Sequence, residues 1–141
     1  MDTNGNTKEL IKDLCSRLPY GVKCYGYCFK IDGNHCECYG TLDSIKLGVW
    51  YPFHLSNRMS INNGATYEET FSEVKPYLFP LSSMTKEQCR ELRELINTGQ
   101  NDNNEFMRSL CRIEFYHKHH LDYRGLIEKG IAIDATGLNV Y

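Results

Sequence analysis

VKCYGYCFKIDGNHCECYG, residues 22–40, is the stretch that decides the fold of this chain. Aromatic residues and Cys lie on both sides of Asp32-Gly33-Asn34, with Val and Ile before it, an arrangement that is typical of two strands joined by a turn. Gly and Asn accept the positive φ values that a tight hairpin turn requires, so the stretch predicts an antiparallel pair. The strand pattern continues to about His54, and Gly40 and Gly48 mark positions where a small sheet could bend or bulge.

One helical pattern precedes the strands and another follows them. Apolar residues repeat at helical spacing over about residues 7–18, up to Pro19, and predict the first helix. Thr85 and Gln88 have the spacing of a capping box, which predicts a second helix that Gly99 can end.

The C-terminal part of the chain predicts a third helix and one further turn. The third helix is expected to end near His119 or His120. Asp122 can cap a further turn through Glu128, with Gly130 as its stop.

The residues between the strands and the second helix have less regular patterns. Residues 56–70 are polar and rich in turn-forming residues, and they predict an exposed loop or a short hairpin. Residues 71–81 are predicted to be extended. Pro76 and Pro80 restrict them to an edge strand or to irregular chain, because proline cannot donate to a sheet ladder.

Together these elements predict one α+β domain over residues 1–141. Its expected parts are an N-terminal helix, a small curved antiparallel sheet of about four or five strands, and a helical C-terminal half; a barrel-like sheet is one option. A chain of 141 residues is long enough to bury one core and short for two.

The composition argues against several classes of protein. The formal net charge of −2 disfavours general nucleic-acid binding, which depends on many Lys and Arg side chains that neutralise phosphates. No apolar run approaches the ~20 residues that span a bilayer, and the N-terminal MDTNGNTKEL lacks a signal-peptide pattern. A cytoplasmic protein without a membrane partner is therefore predicted.

The seven Cys residues raise the question of a metal site. An odd number cannot be fully paired within one chain, so reduced thiols are expected. Cys28, Cys36 and Cys38 are weak candidates for structural zinc, joined by His35 if a bulge redirects it. Cys24 lies four residues before Cys28, about 13 Å along a regular strand, too far for both to bind one ion. A three-residue turn, unlike a two-residue turn, would place these Cys on one face. We favour buried or half-buried thiols and predict no cofactor.

The segment FYHKHHLDYRG, residues 115–125, carries three of the five His residues. On a helix His117 and His120 would share a face, which leaves a small metal-dependent hydrolase as one alternative, although the His-Glu-x-x-His pattern is absent. No nucleophile or phosphate-loop motif is present elsewhere, so an enzyme is not the favoured class. The favoured use is recognition of a small anionic ligand, with Arg124 gripping a phosphate or carboxylate. If Arg124 is structural instead, Asp122 or Glu128 would be its partner.

Three stretches, RLPYGVKCYG at 17–26, VKPYLFPLSSMT at 74–85 and FYHKHHLDYRGLIEKGIAIDA at 115–135, resemble small uncharacterised accessory proteins of Bacteroidales phages and mobile elements. The resemblance covers about a third of the chain. It implies a non-enzymatic anti-defence role in the host cytosol, either by binding a host protein or by sequestering a nucleotide-derived host immune signal. Sequestration of the signal is the favoured alternative. Aromatic and cationic side chains of these stretches are the predicted ligand contacts: Tyr20, Lys75, Tyr77, His119, His120, Tyr123 and Arg124.

A second class of function remains open, a protein-interaction module that inhibits a host factor through an exposed Tyr-rich surface. A homo-oligomer with the ligand pocket at its interface is also compatible with so small a chain. Trp50 and His54 are expected to be half-buried strand residues and not a site.

Overall fold

A computed structural model of the chain describes residues 3–29, 35–60, 70–98 and 105–141. The α-helices in those ranges are α1 (Thr3–Arg17), α2 (Lys86–Thr98) and α3 (Glu105–Lys118). The strands there are β1 (Lys23–Phe29), β2 (His35–Ile45), β3 (Phe53–Ser60), β4 (Thr70–Phe71), β5 (Glu73–Pro80), β6 (Leu121–Asp122) and β7 (Ile133–Asp134).

The strands form one mixed sheet in the order β4-β3-β2-β1-β5-β6, and β7 also pairs with β5. Neighbours from β4 to β5 are antiparallel, whereas β6 and β7 run parallel to β5. In the described part of the chain the sheet does not close on itself, so it is open and not a barrel. The α+β class is confirmed, and the parallel pairs of two residues each are an addition to the predicted antiparallel sheet.

The β1–β2 hairpin is present as predicted. Cys28 lies opposite Cys36, which means that paired positions have the same parity along the two strands. Positions 24, 28, 36 and 38 therefore fall on the same face of the hairpin, as a turn of odd length requires. The predicted turn at Asp32-Gly33-Asn34 lies outside the described residues.

Gly40 allows β2 to bend against β3. The register of the two strands shifts between Tyr39 and Thr41. A Cβ atom on Gly40 would lie 2.7 Å from the carbonyl oxygen of Ser56 and 2.9 Å from Cα of Arg58. Glycine is thus required for the close approach of the two backbones, and the bulge predicted at this residue is confirmed.

The loop predicted at residues 56–70 begins later than expected. β3 continues to Ser60, which pairs with Cys38, so residues 56–60 belong to the sheet. Asn57 takes a positive φ of 51° at the register shift, a conformation that Asn tolerates better than most residues. The polar residues 56–60 therefore continue β3 past the register shift. Residues 61–69 lie outside the described residues.

β5 is a central strand, and the edge strand predicted from Pro76 and Pro80 is wrong. Pro76 lies opposite Cys24 of β1, a position that a proline can take only where its nitrogen points away from β1. On that side β7 pairs only with Tyr77 and Leu78. The described ladder therefore loses no donor at Pro76, which explains how a proline fits inside the sheet.

The first two predicted helices are confirmed, with shifted bounds. α1 begins at Thr3, earlier than predicted, and ends at Arg17. The capping box of α2 forms both of its hydrogen bonds. The backbone N–H of Gln88 donates to Thr85 Oγ1 at 3.1 Å, and the backbone N–H of Thr85 donates to Gln88 Oε1 at 3.0 Å. The predicted stop at Gly99 lies outside the described residues.

The third helix ends at Lys118, slightly earlier than predicted. The further turn forms after β6, where the carboxylate of Asp122 accepts hydrogen bonds from the amides of Leu126 and Ile127, both at 2.9 Å. Gly130 has a φ of 76° at the end of this turn, as its role as a stop requires.

The core lies between α1, the sheet and the segment after β6. Leu14 of α1, Cys24 and Cys38 of the hairpin, Leu78 of β5 and Leu126 are all buried in it. Within the described residues, none of the helices combines the length and apolar character needed to cross a bilayer.

Candidate functional site

The candidate site forms where the end of β5 meets the end of α3. The amide of Phe79 donates to the carbonyl oxygen of His120 at 2.8 Å, and Phe79 lies opposite Leu121 in the parallel ladder. These contacts hold the turn after α3 beside the 3₁₀ turn Leu81–Ser83, which leads into α2. Two of the stretches singled out in the sequence, 74–85 and 115–135, are thereby brought together.

A surface cleft of about 390 Å³ lies at this junction. Pockets that hold small ligands have volumes of ~300–1,000 Å³, so the cleft could accept a molecule of about nucleotide size. The half-buried Phe79 supplies apolar surface, whereas Leu121 is only 1% exposed. The polar side chains that line it come from the 3₁₀ turn, α2, the end of α3 and the turn after β7: Ser83, Thr85, Gln88, Lys118, His119 and Thr136.

The cationic side of the cleft is formed by Lys118, and both Lys118 and the neighbouring His119 have only weak internal partners. Lys118 Nζ lies 3.5 Å from one carboxylate oxygen of Glu91, and His119 Nε2 lies 3.7 Å from the other. The Lys118 side chain is 64% exposed, and an exposed ion pair of this kind contributes little. His119 Nε2 is buried and forms no hydrogen bond with the described residues. The exposed Lys118 ammonium can therefore turn toward an anion that enters the cleft.

His120 presents a neutral ring to the cleft. It has a φ of 57°, in the left-handed region, and its ring stacks on Tyr141 with centroids 3.7 Å apart. Burial disfavours the charged imidazolium, and together with nearby cations such as Arg17 it lowers the pKa of His120 to about 4. Its Nδ1 is buried and makes no hydrogen bond with the described residues.

Next to the cleft, a buried ion-pair cluster joins α1 to β6 and the turn beyond it. Nε of Arg17 donates to Asp13 Oδ2 at 2.7 Å, and its Nη2 donates to the carbonyl oxygen of Leu121, also at 2.7 Å. The side chains of Asp13 and Arg17 have no exposed surface. The sequence predictions missed both residues. Their acidic–basic spacing of four on a helix is a signal, but this spacing is also common on exposed helix faces.

Arg124 belongs to the same cluster. Its Nε lies 3.3 Å from Asp13 Oδ1, so the ion-pair partner of Arg124 is Asp13, and the expectation of Asp122 or Glu128 is wrong. The reason is that the turn capped by Asp122 lies against α1, so that Arg124 reaches Asp13. The guanidinium also lies 5.3 Å from the ring centroid of Tyr123, within cation–π distance.

His117 is separated from His120 because α3 ends at Lys118. Its Nε2 lies 2.8 Å from the hydroxyl of Tyr123, and its ring contacts that of Tyr20 at 5.6 Å. Burial first, then the positive charges of the two arginines in the cluster, lower the pKa of His117 to about 4. The shared helix face predicted for His117 and His120 is wrong, because His120 lies in a turn beyond the helix end.

The seven predicted ligand contacts therefore fall into three groups. His119 and His120 line the cleft, while Tyr20, Tyr123 and Arg124 surround the buried cluster or His117. The remaining two lie elsewhere on β5. Lys75 is exposed and lines a separate groove of about 180 Å³. Tyr77 is 8% exposed, and its ring meets the edge of another tyrosine, Tyr39, at 6.4 Å.

The prediction of buried or half-buried thiols can be compared with five cysteines: two are buried, Cys111 is half-buried, and Cys15 and Cys89 are exposed. Cys24 and Cys38 are buried in the core, which confirms that expectation for these two, and burial raises the pKa of the Cys24 thiol. Among the described residues there is no group of three or more His, Cys, Asp or Glu arranged to hold a metal ion. The side chains of the other zinc candidates, Cys28 and Cys36, lie outside the description.

Comparisons with protein-family models, curated proteins and solved structures find no match to this chain. The resemblance to phage accessory proteins stays a prediction, and the functional conclusion rests on the cleft and its surroundings.

Proposed function

We propose that this protein binds a small anionic ligand, with no chemical conversion, in the cleft between the end of β5, α2 and the end of α3. The observation that carries the proposal is the composition of the cleft. The exposed Lys118 can turn toward an anion, and hydroxyl and amide side chains line the same space. Phe79 offers apolar surface to the uncharged part of a ligand.

The chemistry of the cleft favours a nucleotide-like ligand. A phosphate would take the cationic side, where the first turn of α2 also adds the positive end of its helix dipole. A base or sugar would contact the apolar side and could hydrogen-bond to His120, which is neutral at pH 7 because of its lowered pKa. In the biological context implied by the resemblance, the ligand is a nucleotide-derived immune signal that a phage-type accessory protein sequesters in the host cytosol.

The ligand proposal can be tested by thermal-shift and calorimetric screening of the purified protein against linear and cyclic nucleotides. A ligand that binds the native state raises the melting temperature by mass action. Lys118→Gln should lower the affinity for such a nucleotide at least about tenfold, because it removes a charge-assisted contact. Lys12→Gln is the matched control, since Lys12 is an exposed lysine on α1 that does not line the cleft.

Arg124 is unsuitable for this test because its substitution would also leave Asp13 with one cationic partner fewer. The proposal fails if no nucleotide or other small phosphorylated compound raises the melting temperature. It also fails if Lys12→Gln weakens binding as much as Lys118→Gln does.

A second function, binding of a host protein, is favoured by one specific observation. The turn between β2 and β3 carries three strongly exposed apolar side chains: Leu47 is 68% exposed, Val49 42% and Trp50 90%. The expectation that Trp50 is a half-buried strand residue is wrong, because the strands end on either side of it. An exposed tryptophan is a frequent anchor of protein interfaces. His54, expected to be half-buried, does lie on β3 with 28% of its side chain exposed.

Trp50 is the sole tryptophan of the chain, so its fluorescence reports on this turn directly. A host protein that covers the turn should shift the emission to shorter wavelength and should lose affinity for the Trp50→Ala variant. Host lysate proteins retained equally by the wild type and by Trp50→Ala would contradict this second function.

A further inference from the structure

The two C-terminal helices lack a core of their own. None of the residues 86–97 of α2 and 105–114 of α3 is buried, although apolar side chains occur throughout both ranges. α3 is fixed to the rest of the molecule at its C-terminal end, where Phe115 and His117 are buried. Most of the stability of a helix in a protein comes from packing of its apolar face, so these helices need a further surface to cover them.

The exposed apolar side chains lie on one side of this helix pair. Leu95 is 40% exposed, Phe106 67%, Met107 42%, and Leu110 and Ile113 37% each. Successive residues of an α-helix are rotated by ~100°, so the four on α3 fall within an arc of about 120°. Leu95 of α2 lines a cleft with Cys111 and Glu114 of α3, of which Glu114 falls within this arc and Cys111 lies just beyond it. We call these five residues of the helical hairpin α2–α3 the hairpin face.

We propose that the hairpin face is a dimer interface, in which it packs against the same face of a second copy of this chain. Phe106, Leu110 and Ile113 are spaced by four and then three residues, as in the seam between two packed helices. In a two-fold arrangement each helix would offer this seam to its symmetry mate. The proposal is independent of the ligand that the cleft binds.

The net charge of the helix pair favours a second copy over a strongly charged partner. Counted around both helices, residues 86–97 and 105–114 carry five basic and five acidic side chains, a balance of zero. Two copies of a helix pair with no net charge can meet without the overall repulsion that like-charged surfaces suffer. The basic residues are Lys86, Arg90, Arg93, Arg108 and Arg112, and the acidic ones are Glu87, Glu91, Glu94, Glu105 and Glu114.

The available area also suits a dimer. With ~200 Å² for each large apolar side chain, the exposed fractions leave roughly 450 Å² of apolar surface on each protomer. Interfaces are about 60% apolar, so this corresponds to roughly 750 Å² in all on each side. That value is close to the ~800 Å² per partner of a standard interface.

Sedimentation velocity of the full chain from micromolar to sub-millimolar concentration tests the proposal. The wild type should approach twice the 16.4 kDa mass of the chain as concentration rises. Leu110→Glu should weaken the dimer at least about tenfold, because it places a charge in the seam. Arg112→Gln changes the charge by the same amount on the opposite side of α3, and it should leave the dimer intact.

Circular dichroism of each variant checks that the helices persist, and Phe106→Ser provides a second disruption at the most exposed position of the face. Three outcomes would overturn the proposal: a wild type that stays monomeric at all concentrations, whether or not it binds another protein or lipid vesicles; a dimer that Leu110→Glu and Phe106→Ser leave unchanged; or equal weakening by Arg112→Gln.

Discussion

Arg17 and Asp13, one turn apart on α1, form an ion pair with 2.7 Å between Nε and Oδ2 and with no exposed side-chain surface on either residue. The second carboxylate oxygen of Asp13 faces Arg124, and a second donor of Arg17 reaches the carbonyl of Leu121. A cluster of this kind links the first helix to the last part of the chain, far away in sequence.

Removing Asp13 should therefore be strongly destabilising. Asp13→Ala would leave the buried guanidinium of Arg17 without its counter-charge, and we expect a loss of about 3–5 kcal/mol in the free energy of unfolding. Urea denaturation measures this value. Glu87→Ala, which removes an exposed ion pair with Arg90, should cost less than about 1 kcal/mol. Similar losses in the two variants would contradict the structural role of the cluster.

Stability should fall in mild acid because of His117 and His120. Both have a pKa lowered from 6.5 to about 4 in the folded protein, so between these values the unfolded chain binds more protons than the folded one. Their contribution to stability is complete above pH 6.5 and is lost as pH falls toward 4. Melting temperatures measured across this range should decrease.

His117→Gln can keep a hydrogen bond to Tyr123 while it removes one titrating group. The melting temperature of this variant should decline less steeply between pH 6.5 and 4 than that of the wild type. An unchanged slope would show that His117 does not have the lowered pKa.

Thr85→Ala should weaken the start of α2. The substitution removes the Oγ1 atom that accepts the Gln88 amide, and loss of such a cap costs about 1 kcal/mol. Thr85→Ser retains the hydroxyl and should remain close to the wild type. The free energy of unfolding and the helical circular dichroism signal would measure the difference. Equal behaviour of the two variants would contradict the capping role.

Gly40→Ala should disturb the sheet at the β2–β3 register shift. Its Cβ would meet backbone atoms of Ser56 and Arg58 at less than 3 Å, and backbone cannot move aside as a flexible side chain can. We expect a loss of about 1–3 kcal/mol, as in other cases of overpacking. Ser44→Ala, at an exposed position of the same strand, is the control and should change stability by less than about 0.5 kcal/mol.

Local signals in the sequence predicted the elements that depend on neighbouring residues. The capping box at Thr85 and Gln88, the turn capped by Asp122 and the bulge at Gly40 each require residues close together in the chain, and all three are present. The parallel pairs of β5 could not be predicted, because β6 and β7 have two residues each and carry no strand pattern. The central position of Pro76 depends on these same long-range pairs.

The candidate site was predicted in part, for the same reason. His119 and His120 belong to the cleft, and their segment was identified from its unusual run of His residues. Lys75, predicted to contact the same ligand, lies in a separate groove. A shared stretch of sequence does not reveal which surface each of its side chains faces. Asp13 was missed because burial of an acidic residue depends on contacts with Arg124, which the spacing on α1 does not reveal.

The parallel pairing of β5 with β6 brings the two ends of the α2–α3 segment together. The Phe79 amide donates a hydrogen bond to the carbonyl oxygen of His120. The segment that contains α2 and α3 therefore leaves the sheet and returns to it at the same place. A segment of this kind can unfold locally while the sheet stays intact. In a monomer, backbone amides of α2 should then exchange with deuterated solvent through local opening, long before those of β1 and β5, whose exchange needs unfolding of the whole protein.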